Sequence, residues 1–294
     1  MPNLQSPPQN VPPIEECWAT IDGARVRYQR AGCGAPLVLV HGLLGYSFSW
    51  RFNIPALAKY ATVYAIDMLG AGFSDRCPGM DCSFRGSATR LLRFVRDMGI
   101  SSFDLLGTSH GGAVAVLAAA TANESCRAVR RLILVDPVNP YSAHGRILAP
   151  FLGGRVMSLL FRSLFPRLTL ARSCLLRRLY ADPRRISPGT LEGYSKPFAI
   201  PGSLEYGVDI ARTWLHSLDD LESALPKIAD IRTLLIWGSK DVAVDPASAQ
   251  LLQRHFHNAR LVMLDGVGHL PYEEAADDFN RAVIDFLANT PLPT

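Results

Sequence analysis

One serine in this sequence, Ser109, stands in a glycine-rich turn of the kind that can present a nucleophile. The hexapeptide Gly-Thr-Ser-His-Gly-Gly at 107–112 follows a short apolar run at 103–106 and precedes an alanine-rich segment at 113–120. The pattern G-x-S-x-G between a strand and a helix predicts a sharp turn that exposes the serine hydroxyl at a helix N-terminus. The partial positive charge of that terminus favours a developing oxyanion. The pattern is common by chance, so Ser109 indicates catalysis only if it has partners.

Two residues further along the chain are suitable partners for this serine. A serine hydroxyl is activated near neutral pH by a histidine base, which a carboxylate in turn orients. In parallel sheets such groups follow the carboxyl ends of strands. His269 follows the apolar run 261–264 and precedes a predicted helix at 277–287, so we predict that it is the base. Asp241 follows the run 234–237, so we predict that it is the acid.

Two other aspartates compete with Asp241 for the role of the acid. Asp245 precedes Pro246 and a predicted helix at 247–254, a position better suited to an N-cap. Asp136 also ends a predicted strand and is the second alternative. The sequence favours Asp241 over both.

A second glycine-containing loop, at 41–45, follows another apolar run. Its glycine lets the backbone approach a substrate, so the amide of Leu43 could join the amide of His110 in stabilising an oxyanion. Leu44 is the reserve donor, because the sequence does not fix the register to one residue. We predict that His41 holds this loop by hydrogen bonds. The imidazole of His110 could touch a substrate or pack beneath other helices, and the sequence leaves both open.

The elements that position these loops are predicted from apolar runs without alternation, which are typical of strands buried on both faces of a parallel sheet. A hairpin at 17–30 with a turn at Asp22-Gly23 comes first. Helical patterns separate several of the strands, which predicts an α/β fold with a mostly parallel sheet flanked by helices. The predicted buried strands lie at 36–40, 62–66, 103–106, 132–135, 233–237 and 259–264.

Between residues 137 and 231 this rhythm stops, and no buried strand is predicted. Instead, arginine-rich amphipathic segments occur at 154–165, 169–180, 188–198 and 203–215. We interpret them as a helical cap at 138–230, inserted into a core formed by 14–137 and 231–294. Their arginines form either a surface for a membrane or an acidic partner, or the solvated face of ordinary amphipathic helices, and the sequence favours the latter. Residues 1–13 hold five prolines and are predicted to be a disordered or extended arm.

The bulk composition excludes several classes of function. The chain has 294 residues, 48% of them apolar, and a formal net charge of +4. No basic run interleaved with aromatic residues suggests nucleic-acid binding, and no apolar run approaches the ~20 residues of a membrane span. The six cysteines form no C-x-x-C pair. With no leader pattern at the N-terminus, we expect reduced thiols in a cytoplasmic protein. Dispersed histidines and the lack of a G-x-G-x-x-G or P-loop motif predict no metal or nucleotide cofactor.

Taken in order, the motifs resemble the α/β-hydrolase superfamily, in the branch with a helical cap between strands six and seven. The resemblance runs from residue 26 to residue 287. It implies the α/β-hydrolase fold, with Ser109 as nucleophile, Asp241 as acid and His269 as base. The motifs that carry it are His41-Gly42, Asp67-x-x-Gly70-x-Gly72-x-Ser74-Asp75, Gly107-x-Ser109-x-Gly111-Gly112, Gly238-x-x-Asp241 and Gly268-His269.

Within this superfamily, members that open epoxides or displace halide typically use aspartate at the elbow. Ser109 therefore predicts acyl chemistry: a carboxylic ester hydrolase acting on small hydrophobic esters through an acyl-enzyme, without a cofactor. The alternatives are a carbon–carbon bond hydrolase of vinylogous diketones, which the bulky loop 43–46 disfavours, and a cofactor-free perhydrolase. A binding protein that kept the fold is disfavoured by the complete set of catalytic residues. The preference for hydrophobic groups rests on apolar side chains of the predicted cap: Phe151, Leu152, Met157, Leu160 and Phe161.

Overall fold

The computed structural model describes residues 13–124, 128–165 and 167–288, and the predicted arm at 1–13 lies outside them except for Pro13. In this part of the chain, eight strands form a single sheet in the order β1-β2-β4-β3-β5-β6-β7-β8. The strands are β1 (Glu15–Ile21), β2 (Ala24–Ala31), β3 (Pro36–Val40), β4 (Thr62–Ile66), β5 (Ser102–Thr108), β6 (Ala128–Val135), β7 (Arg232–Gly238) and β8 (Ala259–Leu264).

The sheet is mostly parallel, as the sequence predicts. The first two strands form an antiparallel hairpin in which Asp22 and Gly23 both have positive φ, as a tight hairpin turn requires. β2 also pairs antiparallel with β4, whereas all later neighbours run parallel. The carboxyl ends of β3 to β8 therefore lie along one edge, where the loops with the predicted catalytic residues begin.

Helices cover the two faces of the sheet and fill the interval between β6 and β7. Short 3₁₀ segments lie at Ser47–Trp50, Pro183–Arg185, Lys196–Ala199 and Leu225–Ile228. The α-helices are α1 (Ile54–Leu57), α2 (Phe84–Asp97), α3 (His110–Glu124), α4 (His144–Gly153), α5 (Arg155–Leu164), α6 (Thr169–Leu179), α7 (Thr190–Ser195), α8 (Ser203–Ala224), α9 (Ala247–Gln253), α10 (Pro271–Glu274) and α11 (Ala276–Ala288).

The hydrophobic core is divided into two layers by the sheet. Because successive side chains of a strand point to opposite faces, Val38 and Val40 join the core under α2 and α3, while Leu37 and Leu39 join the core under α1 and α11. Every strand residue of β4 is buried. Burial on both faces explains why these strands read as continuous apolar runs.

The interval between β6 and β7 is helical, as predicted, but its boundaries differ from those expected. Helix α4 was not predicted, because Gly145 and Pro150 lie inside it and both residues usually interrupt helices. Helix α8 continues to Ala224, nine residues beyond the predicted end at 215, and buries residues along its whole length. No helix among residues 13–124, 128–165 and 167–288 is both long and apolar enough to span a bilayer.

Candidate active site

Ser109 lies in a strained turn between β5 and α3. Its φ is +52°, in the left-handed region that residues other than glycine rarely occupy. The glycines around it are needed sterically: a Cβ on Gly107 would lie 2.2 Å from the Gly111 carbonyl oxygen, and one on Gly111 would lie 2.3 Å from the His41 carbonyl oxygen. A Cβ on Gly112 would meet the Pro137 side chain at 2.6 Å. The structure therefore contains the tight strand–turn–helix that the G-x-S-x-G pattern predicts.

The backbone of Ser109 is fixed to the end of the neighbouring strand. Its amide donates to the carbonyl of Val135 at 2.9 Å, and its own carbonyl accepts from the amide of Val138 at 3.0 Å. No hydrogen bond joins Ser109 Oγ to His269 Nε2 among the described residues. Catalytic hydrogen bonds are often long before substrate binds, so the missing bond is compatible with catalysis. The backbone of the serine is anchored, while its hydroxyl makes no hydrogen bond among the described residues.

His269 and Asp241 are brought together at the same edge of the sheet. His269 Nδ1 lies 2.8 Å from Asp241 Oδ2, and both side chains are buried. The other carboxylate oxygen of Asp241 accepts from the amides of Ala243 at 2.7 Å and Val244 at 3.1 Å. These bonds fix the carboxylate and leave Nε2 as the imidazole nitrogen available to a nucleophile.

The two competing aspartates have other contacts. Asp245 accepts from the amide of Ala247 at 2.9 Å just before α9, although Pro246, not the predicted Asp245, is the N-cap of that helix. Asp136 has a φ of +42°, and its Oδ1 accepts from the amide of Gly238 at 2.9 Å. Asp241, not Asp136 or Asp245, is therefore the aspartate that hydrogen-bonds His269.

Asp136 nevertheless lies within the same buried cluster. Its second oxygen, Oδ2, is buried and accepts no hydrogen bond among the described residues, so a proton on it could be donated to the neighbouring Asp241 carboxylate. Burial, and then the neighbouring Asp241 carboxylate, raise the pKa of Asp136 well above its usual value. The structure thus favours a proton on Asp136.

Asp136, Asp241 and His269 also resemble a metal-binding set. One potential ligand atom from each lies within 4.8 Å of the other two. However, Asp241 Oδ2 is engaged by His269 Nδ1, and Asp136 Oδ1 by the amide of Gly238. Because these lone pairs are used for hydrogen bonds, the cluster fits acid–base chemistry better than cation binding.

The loop after β3 lies directly against the serine. A Cβ built on Gly42 would lie 3.3 Å from the Ser109 Cβ, so the backbone at Gly42 approaches the nucleophile closely. The amides of Leu43 and His110, both predicted oxyanion donors, hydrogen-bond to no acceptor among the described residues. Leu44, the reserve donor, has a φ of +60°. Free amides beside a hydroxyl are the arrangement that an oxyanion site requires.

His41 holds this loop through both ring nitrogens, as predicted. Nε2 accepts from the amide of Met68 at 3.1 Å, so Nδ1 carries the proton and donates to the carbonyl of Gly42 at 2.8 Å. Burial lowers the pKa of His41, which keeps the ring neutral. His41 therefore connects the loop after β3 to the loop after β4.

The side chain of His110 packs beneath the helices between β6 and β7, which is one of the two roles that the sequence leaves open. Its ring contacts Phe84 edge-on at 5.1 Å between centroids, and Trp214 of α8 also contacts Phe84 edge-on at 5.1 Å. Burial, with the nearby His41 and Arg90, lowers the pKa of His110 to about 3. The neutral imidazole is thus part of the packing under α8.

The loop at 67–75 has a structural role. Asp67 is fully buried and accepts from the amides of Ser47 and Phe73 and from the guanidinium of Arg27. A Cβ on Gly72 would lie 2.3 Å from the Asp67 carboxylate, so this glycine leaves room for the acid. The loop supports the one that follows β3.

Two buried glutamates that the sequence did not predict follow the histidine loop, and Glu274 bonds directly to that loop. Glu274 accepts from the amides of Gly268 at 2.7 Å, Ala181 at 3.0 Å and Asp182 at 2.8 Å. Glu273 accepts from the guanidinium of Arg51 at 2.7 Å and from the hydroxyls of Tyr180 and Tyr194. Consecutive acids at a helix start normally indicate a solvated terminus, so the pair does not stand out in the sequence. Its only signal is the position of the two glutamates, four and five residues after His269.

The helices between β6 and β7 contact the loop of His269 and the loop after β3. The amide of His269 donates to the carbonyl of Leu179 at 2.7 Å. Tyr46 Oη donates to the carbonyl of Gly193 at 2.9 Å, and Gly207 of α8 faces the side chain of Leu44. The segment therefore lies close to the loops that carry Ser109's predicted partners.

Comparison with known proteins identifies the family. A family model described as the alpha/beta hydrolase family matches residues 37–282. The chain belongs to the alpha/beta hydrolase family. The superfamily predicted from the order of the motifs is thereby confirmed.

Individual members of this family with similar sequences carry different activities. The chain is 35% identical over 282 residues to N-formylmaleamate deformylase of Pseudomonas putida, covering 90% of this chain and 94% of that protein. It is 29% identical over 267 residues to the dihydrolipoyllysine-residue acetyltransferase component of the acetoin cleaving system of Cupriavidus necator. That match covers 90% of this chain but 66% of the relative, so the chain spans just under two thirds of that protein.

A solved structure extends the comparison to the fold. The epoxide hydrolase CorEH, without ligand, is similar with a TM-score of 0.81 and 26% sequence identity. The match covers 94% of this chain and 99% of that chain. The alpha/beta hydrolase fold is therefore shared over almost the whole length of both.

Proposed function

We propose that this hydrolase cleaves carboxylic esters through an acyl-enzyme on Ser109. The observation that carries the proposal is the buried His269–Asp241 pair, 2.8 Å apart, at the sheet edge where Ser109 stands at a φ of +52°. Such a pair supplies the base that a serine hydroxyl needs near neutral pH. The similarity to an epoxide hydrolase concerns the fold, since serine rather than aspartate occupies the elbow here.

The proposed reaction follows from the positions of these groups. Ser109 Oγ attacks the ester carbonyl carbon while His269 Nε2 takes its proton, and the carbonyl oxygen becomes an oxyanion between the amides of Leu43 and His110. Asp241 stabilises the imidazolium. When the C–O bond breaks, His269 returns the proton to the leaving alcohol. Water, activated by the same imidazole, then cleaves the acyl-enzyme to the carboxylic acid.

We further propose that the helical segment at 138–230 acts as a cap that selects hydrophobic substrates. Its contacts with the candidate-site loops support this role. The surroundings of the loop after β3 are apolar: the Phe48 ring stacks on Tyr46 at 5.6 Å and meets Tyr194 at 5.3 Å. However, Phe151 and Leu160, which were predicted to line the substrate site, are exposed. Met157, Leu152 and Phe161 are partly buried and remain candidates.

One second activity is favoured by a specific observation. The 35% identical relative is named a deformylase, which indicates acyl transfer from nitrogen rather than from an alcohol oxygen. Cleavage of an N-formyl amide would use the same acyl-enzyme, with His269 protonating a nitrogen leaving group. Carbon–carbon bond hydrolysis and perhydrolysis are the remaining alternatives that share the serine.

The test is a substrate panel with paired variants. The panel contains p-nitrophenyl esters of increasing acyl length, an N-formyl amide, a vinylogous diketone, and acetate with hydrogen peroxide for perhydrolysis. Ser109→Ala removes the nucleophile, and Ser223→Ala, an exposed serine on α8, is the matched control. We expect ester turnover that falls at least ~10³-fold in Ser109→Ala and is unchanged in Ser223→Ala.

Mass spectrometry of the enzyme with a slow ester supplies an independent readout. We expect an acyl adduct on Ser109 that is lost on mutation. Ester hydrolysis that survives Ser109→Ala would refute the assignment of the nucleophile. Turnover of the N-formyl amide or diketone at much higher kcat/KM than any ester would replace the proposed substrate class while keeping the site.

A further inference from the structure

Helix α5 presents an apolar face to solvent rather than to the protein. Val156, Leu159, Leu160 and Leu164 are between 43% and 73% exposed. Their spacing of i, i+3, i+4 and i+8 places them on one side of the helix. The opposite side carries Ser158, which is buried. These four apolar residues of α5 thus form a continuous stripe on one side of the helix, and the stripe packs against no partner among the described residues.

The stripe continues into the beginning of α6. The amide of Leu168 donates to the carbonyl of Leu164 at 3.0 Å, a bond between residues four apart that places Leu168 about one helical turn beyond Leu164. Leu168 is 47% exposed and Leu170 is 82% exposed. We call the six residues Val156, Leu159, Leu160, Leu164, Leu168 and Leu170 the apolar stripe. Monomeric proteins rarely expose clusters of large apolar side chains, and such clusters usually mark interaction surfaces.

The charge around the apolar stripe has one sign. Between Asp136 and Asp182 the sequence contains no aspartate or glutamate, and its charged residues are all arginines: 146, 155, 162, 167, 172, 177 and 178. Within the described residues, Arg155, Arg167 and Arg177 form no ion pair with a carboxylate. The nearby acid of α8, Asp209, is paired with Arg212.

The exposed apolar side chains and the arginines around them together indicate which partner the apolar stripe could bind. A second copy of the chain would bring two arginine-rich surfaces together, which like charges oppose. An anionic bilayer instead accepts leucine side chains between its acyl chains and arginines at its phosphates. We propose that the apolar stripe and the flanking arginines bind the surface of a membrane containing anionic lipids, without spanning it.

The position of this surface links it to the candidate active site. Helix α6 begins at the apolar stripe and ends at Leu179, whose carbonyl accepts from the amide of His269. One helix therefore connects the proposed membrane contact with the loop of the predicted base. The proposal stands on exposure and charge, and it holds whatever substrate Ser109 processes.

Vesicle flotation with the full-length protein tests the proposal. One set of vesicles is pure phosphatidylcholine, and the other contains roughly 30% phosphatidylglycerol. Leu159→Gln with Leu160→Gln removes part of the apolar stripe, and Arg155→Gln, Arg167→Gln and Arg177→Gln remove three charges. The matched control, Leu251→Gln with Arg254→Gln, changes an exposed leucine and arginine at the end of α9.

We expect binding to the anionic vesicles only, weakened by salt. Each cation near the surface is worth ~1 kcal/mol, or about fivefold in binding, so the triple arginine variant should lose roughly a hundredfold at low salt. The double leucine variant should lose about tenfold or more. The control should bind like the wild type.

Several results would overturn the proposal. These are absence of binding at low salt, equal binding to both vesicle types, or equal losses in the control variant. Gel filtration that shows a dimer dissociated by the leucine variant, with no vesicle binding, would assign the apolar stripe to a second copy. Retention by polyglutamate in place of anionic vesicles would assign the arginines to an acidic polypeptide.

Discussion

Replacing Asp241 and Asp136 by asparagine, one at a time, shows which of the two neighbouring aspartates acts as the acid of the proposed site. In Asp241→Asn, the amide oxygen can keep the contacts with the amides of Ala243 and Val244. The amide nitrogen then faces His269 Nδ1, where two donors oppose each other. The imidazole must move its proton to Nε2 or turn away, and either change removes the base from Ser109.

The expected magnitude follows from the burial of this pair. The His269 and Asp241 side chains are 7% and 0% exposed, so an imidazolium formed in the transition state would lose the buried carboxylate that hydrogen-bonds it. Breaking such a pair costs about 3–5 kcal/mol. At 1.36 kcal/mol per factor of ten, kcat should fall about 10² to 10⁴-fold.

Asp136→Asn should have little effect on activity. Its amide oxygen can accept from Gly238 as Asp136 Oδ1 does, and its NH₂ group can donate toward Asp241 in place of the carboxyl proton. We expect kcat/KM within about threefold of the wild type, because a shape-conserving exchange leaves the buried groups satisfied.

The pH dependence of stability distinguishes the neutral form of Asp136 from an ionised one. Because the folded state raises the pKa of Asp136, its carboxyl stabilises the fold fully below the unfolded pKa of about 3.9. This contribution is lost as the pH rises through the folded pKa. Asp136→Asn has no such loss, so its free energy of unfolding should gain on the wild type as the pH rises from 4.

Two assays decide between these expectations: kcat on the best ester of the panel, and urea unfolding at several pH values. If Asp136→Asn lowers kcat as much as Asp241→Asn does, the acid is not confined to Asp241. If the stability difference between Asp136→Asn and the wild type does not change with pH, Asp136 is not held protonated in the fold.

Three further predictions concern the surroundings of the site. Gly111→Ala places a Cβ 2.3 Å from a backbone oxygen and should lower the free energy of unfolding by about 3 kcal/mol. Its control, Gly79→Ala, has open space at a φ of +73° and should lower the free energy of unfolding by about 1–2 kcal/mol. Equal losses of the two variants in urea unfolding would contradict the clash. Glu274→Gln replaces one acceptor oxygen by a donor, so it should lower kcat for the esters and destabilise the fold by about 2 kcal/mol, and unchanged values of both would show that the bonds to Gly268 and Ala181 do not position the histidine loop. Burial raises the pKa of the Cys82 thiol to about 11, so iodoacetamide at pH 8 should modify the exposed Cys33 and Cys174 first, as peptide mass spectrometry would show; rapid labelling of Cys82 would contradict its burial.

Local patterns were sufficient to predict most of the sheet. The strands of the parallel part are buried on both faces, and this leaves an apolar run in the sequence that needs no knowledge of its partners. The elbow at Ser109 was visible for a similar reason, since a steric requirement for glycine is a local property. The place of Asp241 and His269 after strands followed from the geometry of parallel sheets.

What escaped prediction depends on contacts between distant parts of the chain. The burial of Glu273 and Glu274 arises because residues 180–182 and 194 of the helical segment fold onto α10. Helix α4 was not predicted because Gly145 interrupts the helical pattern. In the structure, Gly145 leaves space for the indole of Trp214, which lies 2.6 Å from the position that a Cβ on Gly145 would take. The exposure of Leu160 was equally invisible, because amphipathicity shows that a helix has an apolar face but not which way it points.

The bond between the amide of His269 and the carbonyl of Leu179 limits how the helical segment can be exchanged. Gly268 lies so close to Leu179 that an added Cβ would be 2.4 Å from its carbonyl oxygen. A chimaera that takes its helices from a relative would therefore have to keep the turn at 179–182, with the Glu274 that holds it. Substrate range could then be redesigned through α4, α5 and α8, while this turn is inherited together with the histidine.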